Sequence, residues 1–366
     1  ASDVYKRQGE TMGTFVIVYY AILIGASAML AYFKQERWFM LVFALTLVSF
    51  VTGIIGGASA LRSIAIFFAL LAAAAGVSYT FKEFLIQITG PNVAKELRTA
   101  PLTAAFGMFV IFTYAIAAIF APIIAPYGEA EVISSSFAPA DENMLLGADQ
   151  LGRDMFSRIF YGARNSVGLA LMATLLAFLA GAFAGLMAAV KGGWFDQLMG
   201  RAADVIMSIP SLIFSLLMLS IFGTNMTVIV IVVAIIYSPR VFRLTRAVAG
   251  NIVVMDYVEA AKLRGEGLFW IMRKEIIPNI MPPMVAEFGL RFCFVFLTIS
   301  ALSFLGVGIQ PPTADWGSMV RENATLITYG SATPLFPAGA IALLTVAVNF
   351  VVDWFLHKTS GLRDEH

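Results

Sequence analysis

Apolar stretches of bilayer-crossing length recur from residue 14 to residue 356, separated by short polar connections. Runs of about 20 apolar residues predict transmembrane helices, because hydrocarbon offers no water to backbone N–H and C=O groups and a helix satisfies them internally. The stretches lie at 14–33, 38–57, 62–85, 102–126, 165–190, 203–222, 226–247, 284–305 and 336–356. The pattern breaks at PNVAKELRTAP, residues 91–101, where Pro91 and Pro101 bracket a charged segment. That break separates an extension over 1–90, with three predicted spans, from a larger part over 91–366 with six. The expected fold is all-α, a polytopic membrane helix bundle. Within the extension, Gly53 and Gly57 have the small-xxx-small spacing that lets helices approach closely, which reads as ordinary packing.

Composition agrees: 60% of residues are hydrophobic, 13% are charged, and mean hydropathy is +0.85. A formal charge of +1, with basic residues scattered through short loops, gives no nucleic-acid signal. The single cysteine, Cys293, falls inside a span, so neither a disulfide framework nor a thiolate metal cluster is expected. Both histidines, His357 and His366, sit near the C-terminus, which argues against a histidine metal site. The opening ASDVYKRQ has neither an initiator Met nor a signal-peptide pattern and reads as a cloning or assembly scar.

Threading the spans from side to side places most cations on one face, among them Lys34, Arg37, Lys82, Lys95, Arg98, Lys191, Arg240, Arg243, Arg246 and Lys358. The other face receives Arg62, Arg153, Arg158, Arg164 and Arg321, plus Lys6 and Arg7 of the leader. The positive-inside rule makes the richer face cytoplasmic, and the C-terminus with it. Two long connections, 127–160 and 306–335, then lie outside; connections of that length usually bind something. The first mixes acids (Glu129, Glu131, Asp141, Glu142, Asp149, Asp154) with arginines. It ends in an apolar rhythm through Met155, Phe156, Ile159 and Phe160 that predicts an interfacial helix feeding the next span.

Residues 255–283, MDYVEAAKLRGEGLFWIMRKEIIPNIMPP, form a charged island on the cytoplasmic side. Asp256 is placed to cap a short helix that Gly265 and Gly267 stop; a second helix, Leu268 to Ile277, is expected to end at Pro278. Leu263, Leu268, Phe269, Ile271 and Met272 offer apolar surface, small Ala260 and Ala261 permit close backbone approach, and Glu259 supplies a fixed charge. This suits a groove on a soluble partner.

Here the sequence resembles the membrane subunits of binding-protein-dependent ABC importers. Their cytoplasmic EAA loop is matched by Glu259, Ala260 and Ala261, then Gly265, then Pro278. Further matches at LGADQLGRDMFSRIFYGARNS, KGGWFDQLMGRAADVIMSIPS, LSFLGVGIQPPTADWGSM and NFVVDW narrow the resemblance to the dipeptide, oligopeptide and nickel permeases of the C type. It covers about 94–366. The resemblance implies a six-span type I importer core in membrane lipid, preceded by three extra helices. It also implies as partners a homologous second permease subunit, two ATP-binding subunits or domains, and an extracytoplasmic solute-binding protein. No phosphate-loop pattern occurs, so ATP is expected to be bound by the partners, and the chain itself to need no cofactor and to be no enzyme. Peptides are the leading solute class; nickel chelates, glycosides or opines are the alternative. A standalone channel or secondary carrier would call for ion-coordinating groups or inverted repeats, and no clear internal repeat is present.

Charged residues within spans default to functional candidates. Glu287 and Arg291 are four apart and share a helix face, as a structural ion pair or as a candidate translocation-path lining with Arg291 meeting a solute carboxylate. The family usually carries a small or apolar residue at the Arg291 position. Arg201, Asp204, Asn349 and Asp353 are expected to pin helix ends to one another, and Ser208, Pro210 and Ser211 to mark a kink.

Overall fold

The computed structural model describes residues 69–359 continuously and, before them, Tyr19, Tyr20, Ile22, Leu23, Gly25, Ala26, Val42, Leu45, Thr46, Val48, Ser49 and Ile66. The expected spans at 14–33 and 38–57 lie largely outside the described residues, and Gly53 and Gly57 entirely so. The chain divides into two compact units, Ala1–Phe84 and Leu85–His366. Within the first, the Tyr19 and Ser49 hydroxyls are 2.8 Å apart.

The described residues form α1 (Ala69–Ile88), α2 (Pro91–Arg98), α3 (Leu102–Ile124), α4 (Met155–Lys191), α5 (Gly193–Ser208) and α6 (Ser211–Phe222). There follow α7 (Met226–Val253), α8 (Asp256–Leu263), α9 (Leu268–Phe304), α10 (Trp316–Asn323) and α11 (Leu335–Thr359). Among the described residues, α1, α3, α4, α7, α9 and α11 are long and apolar enough to cross a membrane. Beta structure among them amounts to two isolated bridges, Val132 with Arg153 and Ala148 with Asp154.

The span expected over 203–222 is not one helix. α5 and α6 meet at an 89° bend. Pro210 causes it: its ring pushes the preceding residue out of the helical region. Ile209 accordingly sits in extended backbone, at φ -93 and ψ 129. The Ser208 hydroxyl donates to the Val205 carbonyl at 2.7 Å beside the break. At 12 residues, α6 is a short helix. Its rise of roughly 18 Å falls well below a hydrocarbon core of about 30 Å. By contrast Pro239 lies inside α7 without breaking it. The Ser238 hydroxyl donates at 3.2 Å to the Ile235 carbonyl, which is the acceptor that a proline at 239 leaves free.

α4 packs along α7 through a stripe of small buried residues, Ala170, Ala173, Ala177, Gly181, Gly185 and Ala188, repeating at three- and four-residue intervals. Lipid tails are as apolar as leucine, so helices here associate by close packing, and small residues permit it. A Cβ on Gly181 would lie 2.5 Å from the Ser238 carbonyl oxygen, and one on Gly185 2.7 Å from that of Phe242. Neither oxygen belongs to a movable side chain, so the glycines fix the interhelical distance.

Gly185→Ala should therefore cost about 1–3 kcal/mol through overpacking. Gly168→Ala, where an added methyl meets nothing within 4 Å, should not destabilise. Thermal unfolding in detergent, followed by a thiol dye reacting with buried Cys293, measures both.

Candidate functional site: a buried cap, a surface helix and a polar face

At the end of the bundle formed by the two long connections, a group of charged side chains is buried. Asp149, Arg153 and Arg158 are each no more than 2% exposed. Asp149 accepts from the Leu151 and Arg153 backbone N–H groups and from Arg153 Nε at 2.7 Å, with Arg158 Nε at 3.3 Å. Glu322, on α10, takes the other ends of both guanidinium groups, at 3.1 and 3.5 Å. Two arginines thus bridge two carboxylates that lie far apart in sequence, tying the first connection to the second. Glu129 adds a tie by accepting from the Asn165 side chain and the Ala314 backbone N–H.

Asp154 caps α4, accepting from the Ser157 backbone N–H at 2.8 Å and its hydroxyl at 2.6 Å. Asp315 caps α10 and accepts from the Ser166 hydroxyl at 2.7 Å. Burial pushes the Asp315 carboxyl above the usual range, while hydrogen bonds from Ser166 and Ser318 pull it back down. Trp316 fills the centre of the cap. Its Nε1 donates to the Ile159 carbonyl, its ring meets Tyr114 and Phe296 edge to face, and Gly162 makes room for it. The helix expected at 155–160 is present, with Met155, Ser157 and Arg158 buried and Phe156, Ile159 and Phe160 partly exposed, and it runs through a π turn, Ala163–Val167, directly into the rest of α4.

At the opposite end, α8 follows α7 after a short link through Val254 and Met255. Asp256 is not its cap; Met255 holds that position. Asp256 and Glu259 instead place negative charge in the first turn, where it favours the helix dipole. Gly265 closes the helix in the left-handed region, where a residue without Cβ is unstrained. Its N–H donates to the Lys262 carbonyl while that of Glu266 donates to Ala261. Val258 and Ala261 are fully buried, in one apolar cluster with Val241 and Ala249 of α7 and Ile276 of α9. Of the two alanines expected to receive a partner, only Ala260 faces outward. Ile271 and Met272, expected on the docking surface, are buried too, leaving Leu263, 84% exposed, and Phe269, 68% exposed, with Glu259 and Lys262.

Nor does Pro278 end the second helix. A π turn, Met272–Ile276, restarts the α-helix at Ile277, so Pro278 occupies its first turn, where a missing N–H costs nothing. Pro282 and Pro283 are carried inside, and α9 is one rod from the island to Phe304.

Glu287 and Arg291 do pair, at 2.5 Å, with the Arg291 guanidinium 5.3 Å over the Phe294 ring. Their face of α9 differs from the one lining an apolar cleft of about 370 Å³ with Tyr114, Phe292, Leu344 and Val348. Arg201, Asp204, Asn349 and Asp353, expected to pin helix ends to one another, are not brought together: Asp204 pairs instead with Arg243, inside α7, and Asp196 pairs with Arg246. Asn349 bonds within its own helix, to the Thr345 carbonyl, and Lys358 joins α11 to Glu96 of α2.

The family model of the binding-protein-dependent transport system inner membrane component matches residues 177–358. The di/tripeptide transport system permease protein DppC of Pseudomonas aeruginosa is 32% identical over 265 residues, 70% of this chain and 85% of the relative. The chain belongs to this family. The glutathione transport system permease protein GsiD of Pectobacterium atrosepticum is 32% identical over 72% of this chain and 85% of the relative. The dipeptide transport system permease protein DppC of Bacillus subtilis is 32% identical over 70% of this chain and 79% of the relative. The resemblance drawn from the EAA loop and its companion segments is borne out, and the protein is a multi-pass permease component of a transport system of the inner membrane.

In this permease Glu322→Gln should remove a carboxylate from buried arginines, at a cost of about 3–5 kcal/mol. Trypsin should then cut at Arg153 and Arg158, which the native cap protects, and an unchanged digestion pattern would show that the cap does not depend on the pair.

Proposed function

We propose that this permease is one half of the translocation path of an ATP-driven importer for dipeptides or oligopeptides. In this reading a homologous second permease sits beside it, two ATP-binding subunits lie beneath the island, and an extracytoplasmic solute-binding protein delivers solute to the cap. The island and the C-terminus are cytoplasmic, as the cation distribution indicates. ATP is bound and hydrolysed by the partners, and the chain carries no cofactor of its own. The functional domain runs over 91–366, with 1–90 as an accessory extension.

The observation that carries this reading is the two-sidedness of α8. One side, Val258 and Ala261, is embedded against α7 and α9; the other presents Glu259, Ala260 and Leu263 beside the turn at Gly265. An exposed leucine on a short, firmly seated helix fits an apolar groove on a soluble partner. Closure of the ATP-binding pair would push on α8 and, through its buried side, tilt α7 and α9 together. Peptide solutes are supported by the names of the relatives. Nickel chelates, glycosides or opines use a machine of the same fold and docking motif.

Glu259→Lys and Gly265→Asp should leave the protein inserted and assembled in the membrane, yet lower ATP-dependent uptake by roughly tenfold, the scale of losing an interface hot spot. Normal uptake by both variants would contradict the coupling role. Uptake by the chain without ATPase subunits would favour a standalone carrier instead.

A further inference from the structure

Arg240 stands apart from its neighbours on α7. Arg243 and Arg246 are taken by Asp204 and Asp196, and Arg291 on α9 is taken by Glu287. Arg240 has no carboxylate within ion-pair distance among the described residues. Its guanidinium lies 5.2 Å over the Tyr237 ring and makes one long hydrogen bond, 3.4 Å, to the Ile236 carbonyl. The side chain is nonetheless half-buried.

Its depth follows from helix geometry. Arg240 lies on α7, which starts at Met226, and Arg291 on α9, which ends at Phe304. A rise of about 1.5 Å per residue puts Arg240 roughly 21 Å from the first of these ends and Arg291 roughly 20 Å from the second. The two helices are held in register there. The Tyr237 hydroxyl lies 2.6 Å from that of Thr298 and donates to the Phe294 carbonyl at 3.2 Å, while Arg291 sits over the Phe294 ring. Arg240 and Arg291 are thus level, well inside two helices apolar enough to cross a membrane, and with Met226 and Phe304 set at the outer boundary of a hydrocarbon core about 30 Å thick they fall in its inner third, with two guanidinium groups and one carboxylate between them. A guanidinium at that depth is costly unless it faces water or an anion, and its planar fork matches a carboxylate bidentately. A sequence reading that counts Arg240 among the cytoplasmic surface cations misses it.

We infer that Arg240, seated on Tyr237 and level with Arg291, is a carboxylate-binding stage of the translocation path, receiving the C-terminal carboxylate of a peptide solute. Glu287 holds Arg291 against α9 until a solute carboxylate competes for it. This inference rests on the peptide-importer reading for the identity of the solute, but the site itself makes a narrower claim, affinity for a carboxylate.

Both are tested on the complete importer. In proteoliposomes, Arg240→Gln should cut uptake of dialanine roughly tenfold, the scale of a lost charge-assisted hydrogen bond, and leave dialanine amide uptake unchanged. Arg240→Lys should retain an intermediate preference. Equal loss for both probes would make Arg240 structural and overturn the stage, as would no loss for either. A second arm reads the site whatever the solute: propionate, and not propionamide, should raise the melting temperature of the detergent-purified wild-type importer, with the difference abolished in Arg240→Gln. Wild-type uptake of neither peptide, with the propionate effect intact, would sink the peptide reading and support the carboxylate stage. No difference between propionate and propionamide would overturn the stage.

Discussion

The close contact between α4 and α7 is the interaction on which the rest of the permease unit depends. Its distance is fixed by backbone atoms: Gly181 and Gly185 lie against carbonyl oxygens of α7, where no side chain can yield. In lipid there is no gain from hiding apolar surface, so such a contact forms only where two backbones approach closely enough for dispersion to accumulate. Small residues at three- and four-residue spacing provide that along α4, from Ala170 to Ala188.

Both ends of the molecule hang on this seam. α4 begins inside the buried cap, where Arg153 and Arg158 join Asp149 to Glu322, and it ends in the apolar cluster that α8 shares. α7 leads into α8 directly, and α9 leaves the same buried cluster as one rod reaching to Phe304 below the cap. α8 is thus joined to the bundle through helices that share one buried cluster rather than through loops alone. Off these helices lies the α5–α6 bend, and α5 is tied to α7 by the partly exposed ion pairs of Arg243 and Arg246. Exposed pairs of that kind contribute about 0–1 kcal/mol.

Much of this was legible in the order of apolar and polar residues, because each crossing helix must be apolar along its whole length. The spans at 102–126, 226–247 and 336–356 are helices close to those bounds, and the EAA loop pointed to the right family. What composition conceals is which side of a polar segment faces inward. Nothing in the order of residues pairs Asp149, Arg153 and Arg158 with a distant partner; only folding brings Glu322 from the second connection to them. Ala261 and Met272 read as docking surface because the island is charged overall, whereas a helix lying on a bundle must bury one side. Of the prolines, Pro210 lies at the kink expected there, sharp enough to split the span into two helices, whereas Pro278 failed to stop a helix because a π turn placed it where its missing N–H is harmless.

The central claim is that the exposed side of α8 is the coupling contact. Replacing Leu263 with a photo-crosslinking phenylalanine in the assembled importer, and irradiating with and without ATP, tests it directly. Coupling through α8 predicts a specific adduct with an ATP-binding subunit, its yield changing with nucleotide state. Efficient incorporation with adducts only to lipid, or to none of the subunits, would contradict it.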